Sequence, residues 1–207
     1  KLQFVYGIYY IRNNEIDKAI SYFLYVTNKN ESECNYLIGR IYYEDYYIKR
    51  DILKSIHYFS LSAEQNNVQA QSILGDIYYN NEFVVRDIKN VFYYYSRAAE
   101  NNCVKAQFKL GLFYYEGKFV FQDIQNSIYY FSKAANQNDV LSQYYLGLIY
   151  YEDKFARRDI KKAIHYFSLS ADQKHAQSLL ILGNIYFDNK YIARDIDNAI
   201  YYFSFAA

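Results

Sequence analysis

Hydrophobic residues along this chain follow a helical period and fall into short segments. Over residues 68–79, for example, Ala70, Leu74 and Ile77 recur at intervals of four and three residues, so they share one face of an α-helix. This segment predicts the first helix of a pair, which we call helix A.

A second helix, helix B, is predicted after a short loop. Ile88, Val91, Tyr95 and Ala99 repeat the same spacing. Asp87 precedes them and is a suitable N-cap, because its carboxylate can accept unpaired backbone N–H groups of the first turn and lies at the positive end of the helix dipole. We therefore expect helix B to start at Asp87.

The helix pair is repeated along the chain with a period of 36 residues. A glycine in helix A and the capping aspartate of helix B recur in phase, as Gly39, Gly75, Gly111, Gly147 and Gly183 and as Asp51, Asp87, Asp123, Asp159 and Asp195. Gly7 lies 32 residues before Gly39, so the first repeat is shorter. One helix pair cannot bury its own apolar face, so the repeats must stack to form a core. The sequence predicts an all-α, right-handed α-α superhelical solenoid of six two-helix repeats, in one array with repeats over about 1–31, 32–67, 68–103, 104–139, 140–175 and 176–207.

The repeated glycine predicts a close helix contact, and the loop after helix A predicts a left-handed residue and a packed aromatic ring. A glycine inside a helix costs about 1 kcal/mol relative to alanine, so we expect helix B to approach closely there through a small residue such as Ala63 or Ala99. The first loop residue is of a type that tolerates left-handed backbone: Asp45, Asn81, Gly117, Asp153 and Asn189. An aromatic residue two positions later is expected to plug the open end of the helix pair: Tyr47, Phe83, Phe119, Phe155 and Tyr191.

Composition and charge exclude several classes of protein. The chain has no proline, which disfavours turn-rich β structures, and its net charge of +1 lacks the basic surplus of a nucleic-acid binder. No segment reaches the roughly 20 apolar residues of a membrane-spanning helix, and no signal peptide is apparent. We therefore expect neither nucleic-acid binding nor direct membrane insertion.

Cys34 and Cys103 suggest no disulfide framework, so we favour a cytoplasmic location over the lumen of the endoplasmic reticulum. The absence of methionine indicates a fragment of a longer protein.

The sequence carries no motif for catalysis. It lacks the HExxH pattern of zinc hydrolases, the Ser-x-x-Lys pattern of β-lactamases and a phosphate-binding glycine loop. His57 and His165 stand where other repeats have tyrosine, which indicates a surface position and not a ligand. We expect no catalytic residue, no metal, no cofactor and no small-molecule substrate, and predict that the chain is not an enzyme.

The repeats resemble Sel-one-like repeats (SLRs), a branch of the tetratricopeptide-like helical repeats. The fifth repeat carries the matching residues Leu146-Gly147, Tyr150, Asp159, Lys162-Ala163, Tyr166-Phe167 and Ala171. The resemblance implies a scaffold or adaptor that binds a protein or peptide partner on the concave face lined by the A helices. Such arrays also occur attached to catalytic domains, protein kinases among them, so the alternative is a non-catalytic arm of a larger enzyme. An RNA-binding helical array ranks below both, because its groove would need to be basic.

A candidate binding surface follows from that geometry. An aromatic series lies at the end of helix A: Tyr43, Tyr79, Tyr115, Tyr151 and Phe187. The next residue in each repeat is Glu44, Asn80, Glu116, Glu152 or Asp188. One interpretation is a groove with aromatic walls and an acidic strip, suited to basic and apolar side chains of a peptide. The other is that the rings pack between successive A helices and the acids are solvated.

Two further series have structural interpretations. We expect one set of tyrosines to lie in the core: Tyr42, Tyr78, Tyr114, Tyr150 and Tyr186. A basic series precedes the capping aspartate, with Gln122 as its one exception: Arg50, Arg86, Arg158 and Arg194. It could form a basic edge, but we favour local pairing with neighbouring acids and solvent.

Overall fold

A computed structural model of the chain describes residues 2–27, 32–80, 82, 84–153 and 157–206. Within these ranges the chain forms twelve α-helices and no β-strand, which confirms the all-α class and the six two-helix repeats. The helices are α1 (Leu2–Arg12), α2 (Ile16–Thr27), α3 (Ser32–Tyr43), α4 (Ile52–Glu64), α5 (Val68–Tyr79), α6 (Ile88–Glu100), α7 (Val104–Glu116), α8 (Ile124–Ala135), α9 (Val140–Tyr151), α10 (Ile160–Asp172), α11 (Ala176–Phe187) and α12 (Ile196–Ala206). Odd-numbered helices are A helices and even-numbered helices are B helices. None of the twelve is long and apolar enough to cross a membrane.

The chain divides into two compact units, with the division inside α7. The N-terminal unit runs to Ala106, and the C-terminal unit starts at Gln107. In the N-terminal unit α1 packs on α2, α3 on α4 and α5 on α6, and α2 and α4 also contact the A helix that follows. In the C-terminal unit α9 packs on α10 and α11 on α12, while α8 and α10 contact the next A helix. The limits of the six repeats and their membership of one array stay predictions.

Aspartate caps start the B helices as predicted. The side chains of Asp87 and Asp159 accept hydrogen bonds from the backbone N–H groups of Asn90 (3.2 Å) and Lys162 (3.1 Å). The same bond is made by Asp51, Asp123 and Asp195. Each carboxylate thereby satisfies an orphan donor of the first helical turn.

The glycine of helix A faces an aromatic ring, so the expected contact with a small residue of helix B was wrong. A Cβ on Gly39 would lie 2.6 Å from the Phe59 ring, and one on Gly147 would lie 2.5 Å from the Phe167 ring. These rings are fully buried. Phe59 lies one turn before Ala63 on the same helical face, and the larger side chain takes the space that glycine leaves.

Most of the left-handed residues lie in the turns from helix B to the next helix A. Among the expected A–B loop positions, Gly117 has a positive φ (65°), whereas Asp45, Asp153 and Asn189 do not; Asn81 lies outside the described residues. Positive φ also occurs at Asn14, in the short A–B turn of the first repeat, but mainly at the B-to-A turns: Asn66, Asn102, Asn138 and Lys174. There the chain reverses within about three residues and needs an αL residue of the Schellman type. The longer A–B loop leaves helix A through extended backbone, as at Glu152 (ψ 133°).

Loop aromatics contact helix A in the repeats where they are described. The Phe119 ring lies edge-on to Phe113, with centroids 5.3 Å apart, and Tyr191 lies 5.8 Å from Tyr151. Tyr47 packs against the core cluster of the first two repeats. Phe119 and Tyr47 agree with the predicted plug, whereas Tyr191 contacts helix A of the preceding repeat. The other two residues, Phe83 and Phe155, lie outside the described residues.

A second tyrosine series forms stacked pairs at the rim of each helix pair. Its rings are half-buried and pack against the core clusters, as Tyr42, Tyr78, Tyr150 and Tyr186 show. The rings of Tyr78 and Tyr94 lie 5.8 Å apart and 1° from parallel. Four further pairs have the same arrangement: Tyr42–Tyr58, Tyr114–Tyr130, Tyr150–Tyr166 and Tyr186–Tyr202. The A-helix members are half-buried, which keeps the phenolic end of a large ring near water.

In the fourth and fifth repeats, a buried glutamine of helix A accepts a side-chain hydrogen bond from a glutamine that follows helix B of the same repeat. Gln137 donates to Gln107 (2.8 Å) and Gln173 donates to Gln143 (2.9 Å). The equivalent Gln71 donates to a backbone carbonyl, but its Oε1 has no hydrogen-bond partner among the described residues. Asn101, thirty residues later, is one methylene shorter than glutamine and bonds within its own helix.

Candidate partner-binding surface

The predicted aromatic series is half-buried in the N-terminal unit and sits against helix B. The Tyr43 ring lies edge-on to Phe59, with centroids 6.1 Å apart. Arg50 and Arg86 place their guanidinium carbons 5.8 Å and 5.5 Å from the centroids of Tyr43 and Tyr79. The rings are therefore fixed on one side by packing and contacted by arginine on another.

The arginine series binds the carbonyl ends of the A helices. Each Nε donates to the carbonyl of the last aromatic residue of its helix A at 2.7–2.8 Å, in the pairs Arg50–Tyr43, Arg86–Tyr79, Arg158–Tyr151 and Arg194–Phe187. The Gln122 amide makes the same bond to the Tyr115 carbonyl (2.6 Å). A cation at this place also opposes the negative end of the helix dipole. Gln122 thus keeps the hydrogen bond and removes the charge.

Two acidic side chains on or next to the A helices of the N-terminal unit are paired with bases. Arg40 donates through Nε to Glu44 at 2.7 Å and forms an ion pair with it. Asp76, one turn before the aromatic series, accepts from the hydroxyl of Tyr95 (2.7 Å) and pairs with Lys105. Burial, followed by the charge of Asp76, raises the pKa of Tyr95. Every carboxylate named here has a positive partner.

The C-terminal unit has the same frame with different charges. Glu116 is exposed at the end of α7, and Glu152 is half-buried just after α9. The Tyr115 ring lies 5.3 Å from Tyr145 of the next A helix, a contact of the kind that the packing interpretation expects. Burial, followed by the charge of Glu152, raises the pKa of Tyr115 to about 12.

The last members of the predicted series are more open. Phe187 is 46% exposed, with the Arg194 guanidinium 4.9 Å from its ring centroid, and Asp188 is exposed. Tyr151 is half-buried, and Arg158 lies over the neighbouring ring of Tyr191 at 4.8 Å.

A groove of about 390 Å³ on the A-helix side of the N-terminal unit was missed by the sequence. Its lining includes Tyr36, Val68, Ser72, Ile73, Cys103 and Lys105. The position of Tyr36 changes from repeat to repeat, as Tyr36, Ser72, Phe108, Tyr144 and Leu180. This variation could have indicated the groove from the sequence, because positions with a purely structural role keep their residue type from repeat to repeat.

No metal centre is indicated. The described ranges contain no group of three or more histidine, cysteine, aspartate or glutamate side chains that could hold a metal ion. His57 and His165 are exposed and lie edge-on to Tyr58 and Tyr166. His175 contacts the Tyr144 ring at 4.7 Å, and burial lowers its pKa.

Solved structures of other proteins share this fold. The crystal structure of c5321, a protective antigen present in uropathogenic Escherichia coli strains that displays an SLR fold, matches with a TM-score of 0.88 at 24% identity, over 99% of this chain and 45% of that one. A Sel1 repeat protein from Oxalobacter formigenes matches with a TM-score of 0.75 at 24% identity, over 99% of this chain and 85% of that one. For the immunity protein PA5088 from Pseudomonas aeruginosa the TM-score is 0.53 at 16% identity, over 97% and 80% of the two chains. The chain spans less than half the length of the first of these, and the likeness shows the solenoid fold.

Most of the chain also matches a known protein family. No curated protein matches the sequence. The profile of the family described as Sel1 repeat matches residues 32–67, 68–103, 104–139, 140–175 and 176–207. Every repeat from the second to the sixth is covered, and the chain therefore belongs to the Sel1 repeat family.

Proposed function

We propose that this chain is a non-catalytic scaffold that binds a peptide or protein partner on the face formed by its A helices. Sel1 repeat proteins are generally protein–protein interaction scaffolds. The observation that carries the proposal is that the A-helix ends keep half-exposed aromatic rings beside carboxylates after the helices have packed. Aromatic side chains with polar neighbours are typical of protein interfaces, because a rigid ring buries a large area at small entropic cost.

The groove in the N-terminal unit supports the same face. It is bordered by the first turns of α5 and by Tyr36 of α3, with Lys105 at its edge. Apolar side chains such as Val68 and Ile73 could receive those of a partner segment in an extended or helical conformation. An opening of this kind suits a peptide.

A charge-reversal experiment tests the proposal. In one variant the acids of the A-helix ends are changed to lysine: Glu44, Glu116, Glu152 and Asp188. A matched control reverses four exposed acids of B helices: Glu64, Glu100, Asp172 and Asp197. Partners are captured from a lysate of the source cells with the intact chain and both variants, after circular dichroism has shown that all three are folded.

Each outcome has a defined meaning. A partner that is lost with the A-helix variant and kept with the control supports the proposal. A partner that is lost with the control alone places binding on the B helices and contradicts it. No captured partner for any of the three contradicts the scaffold function itself.

A further inference from the structure

In the second repeat, two arginines lie at the end of helix A, where Glu44 stands. Arg40 forms an ion pair with Glu44 from one turn earlier. Arg50 donates to the Tyr43 carbonyl and places its guanidinium 5.8 Å from the Tyr43 ring centroid. This end of helix A therefore carries two positive charges from its own chain, one of them paired with Glu44.

In the fourth repeat, the acid remains and both arginines are replaced. Glu116 is equivalent to Glu44, but Leu112 and Gln122 occupy the positions of the two arginines. Gln122 preserves the hydrogen bond to the helix end and supplies no charge. The basic residue nearest in sequence, Lys118, places its amine 5.5 Å from the centroid of the Phe119 ring.

Glu116 and Glu152 lie where carboxylates are unfavourable. Glu116 is the last residue of α7, and Glu152 is the C-cap of α9, so both lie at the negative ends of helix dipoles. Neither carboxylate forms an ion pair with another residue in the described ranges. Arg158 bonds the Tyr151 carbonyl beside Glu152, as Arg50 bonds the Tyr43 carbonyl, whereas Glu116 has an arginine at neither position. The negative potential of the two carboxylates acts on the rings beside them: after burial, Glu152 and Glu116 contribute to the raised pKa of Tyr115, about 12. The pKa of Tyr43, by contrast, is raised by burial and Asp76 but lowered by Arg50.

The rings beside these acids are held in place before any partner arrives. Tyr145 is stacked on Phe131, with centroids 5.2 Å apart and planes 13° from parallel. Tyr115 lies edge-on to Tyr145 at 5.3 Å, and Tyr144 lies 5.5 Å away from Tyr145. Tyr115, Tyr144 and Tyr145 are half-exposed, so part of each ring faces solvent. A preorganised aromatic surface loses little entropy when a planar cation binds to it.

We infer that the surface formed by Tyr115, Glu116, Tyr145 and Glu152, which we call the α7–α9 surface, binds an arginine side chain of the partner. The guanidinium replaces the positive charge that the second repeat supplies from within, and charge complementarity selects the occupant. Arginine fits better than lysine, because its planar group can stack on a tyrosine ring while donating two hydrogen bonds to a carboxylate. The chain already places a guanidinium over an aromatic ring where Arg194 lies 4.9 Å from the Phe187 ring centroid. The inference rests on the scaffold function proposed above and names the chemistry of the partner.

Binding of short, terminally blocked peptides to the full chain tests the inference. The probe contains three arginines separated by leucine and serine. A second peptide carries citrulline in place of each arginine, which keeps the shape and removes the charge, and a third carries lysine. Affinities are measured by fluorescence anisotropy at low ionic strength. We expect the arginine peptide to bind about tenfold more tightly than the citrulline peptide, since charge-assisted hydrogen bonds are about twice as strong as neutral ones, and the lysine peptide to lie between them.

Two variants place the binding on the surface. Glu116→Gln combined with Glu152→Gln should reduce affinity for the arginine peptide about tenfold. Glu64→Gln combined with Glu100→Gln is the matched control, because both acids are exposed on B helices, and it should change affinity less than about twofold. Equal binding of the arginine and citrulline peptides, or an equal loss in the control, overturns the inference.

The two proposals fail in different ways. If arginine gives no preference while partner capture still depends on the A-helix acids, the arginine inference is wrong and the scaffold proposal stands. If the arginine peptide binds as expected but the lysate yields no partner, the surface has the predicted chemistry and the scaffold proposal is contradicted.

Discussion

The N-terminal and C-terminal units are built from the same repeat and differ in how their surface charges are balanced. In the first, Glu44 and Asp76 are paired with Arg40 and Lys105. In the second, Glu116 and Glu152 are kept without an equivalent partner among the described residues. The helices, caps and glycine–ring contacts are the same in both. The difference teaches that the repeat frame tolerates a change of charge at the ends of helix A, so that a surface can change while the core does not.

The largest expected effect on stability tests whether the hydrophobic cores of the N-terminal and C-terminal units are equivalent. Phe59→Ala and Phe167→Ala each remove a fully buried ring that lies against a glycine, and each should lower the free energy of unfolding by about 3–5 kcal/mol. Urea denaturation measures the loss. Tyr46→Ala, at an 82% exposed position, is the control and should cost less than about 0.5 kcal/mol. Clearly unequal losses for the two phenylalanines would contradict the equivalence.

The next effect compares the glutamine hydrogen bond of the C-terminal unit with its incomplete counterpart in the N-terminal unit. Asn101→Gln supplies the missing donor to buried Gln71 and should raise the free energy of unfolding by about 1 kcal/mol. Gln137→Asn removes the donor to Gln107 and should lower it by a similar amount. Both are measured by urea denaturation. The gain must disappear when Gln71→Leu is also present, and a gain that persists there shows that another contact is responsible.

A smaller effect concerns the one left-handed turn residue, among those described, that is lysine. Lys174 has a φ of 63°, where the three equivalent turns have asparagine. Lys174→Asn should raise the free energy of unfolding by about 0.5–1 kcal/mol, because asparagine tolerates this conformation better. Thermal denaturation measures the change. Lys174→Ala keeps the strained backbone and should give no gain, so equal stabilisation by both substitutions would point to loss of charge instead.

The smallest effect is electrostatic and compares Tyr115 with Tyr43. Glu152→Gln removes a negative charge that disfavours the phenolate, so the pKa of Tyr115 should fall below about 12. It should stay above 10, the ordinary value for tyrosine, because burial remains the main cause of the shift. NMR titration of ¹³C-labelled tyrosine measures it, with Tyr115→Phe for assignment. Glu44→Gln should leave Tyr43 unchanged, and an unshifted Tyr115 would show that Glu152 does not act on that ring.

Where the sequence succeeded, a local pattern had a single physical meaning. The predicted helix over 68–79 is the observed α5, and the aspartate before helix B is the observed N-cap. Three- and four-residue spacing determines a helical face, and the capping bond depends on neighbours in sequence. These features need no knowledge of other repeats.

The predictions that were wrong concern places where two positions of the repeat have similar residue types. Asn, Asp and Gly occur both in the A–B loop and in the B-to-A turn, and the A–B loop was chosen. The series Asn66, Asn102 and Asn138 was visible at the same period and marked the true left-handed turns. Likewise, Ala63 and Phe59 share a helical face, so periodicity could not show which one faces Gly39.

The sequence predicted which residue types occur at the candidate surface, but not which of its carboxylates are paired with a positive charge. Tyr43, Glu44, Tyr115 and Glu116 follow from the period alone. Whether a carboxylate is neutralised depends on the reach of a side chain from another helix, as Lys105 reaches Asp76. That reach is set by the packing of helices 29 residues apart in sequence, which the repeat pattern does not encode.

The contact between the helix-A glycine and the helix-B ring has a consequence for how such a protein can evolve. The glycine and its ring always come from the same repeat, twenty residues apart in the case of Gly39 and Phe59. A gene duplication or deletion of one whole period therefore inherits both partners together. Descendants can lengthen or shorten the array without creating a ring that has lost its glycine, while point mutations at the helix-A ends change the surface of each copy.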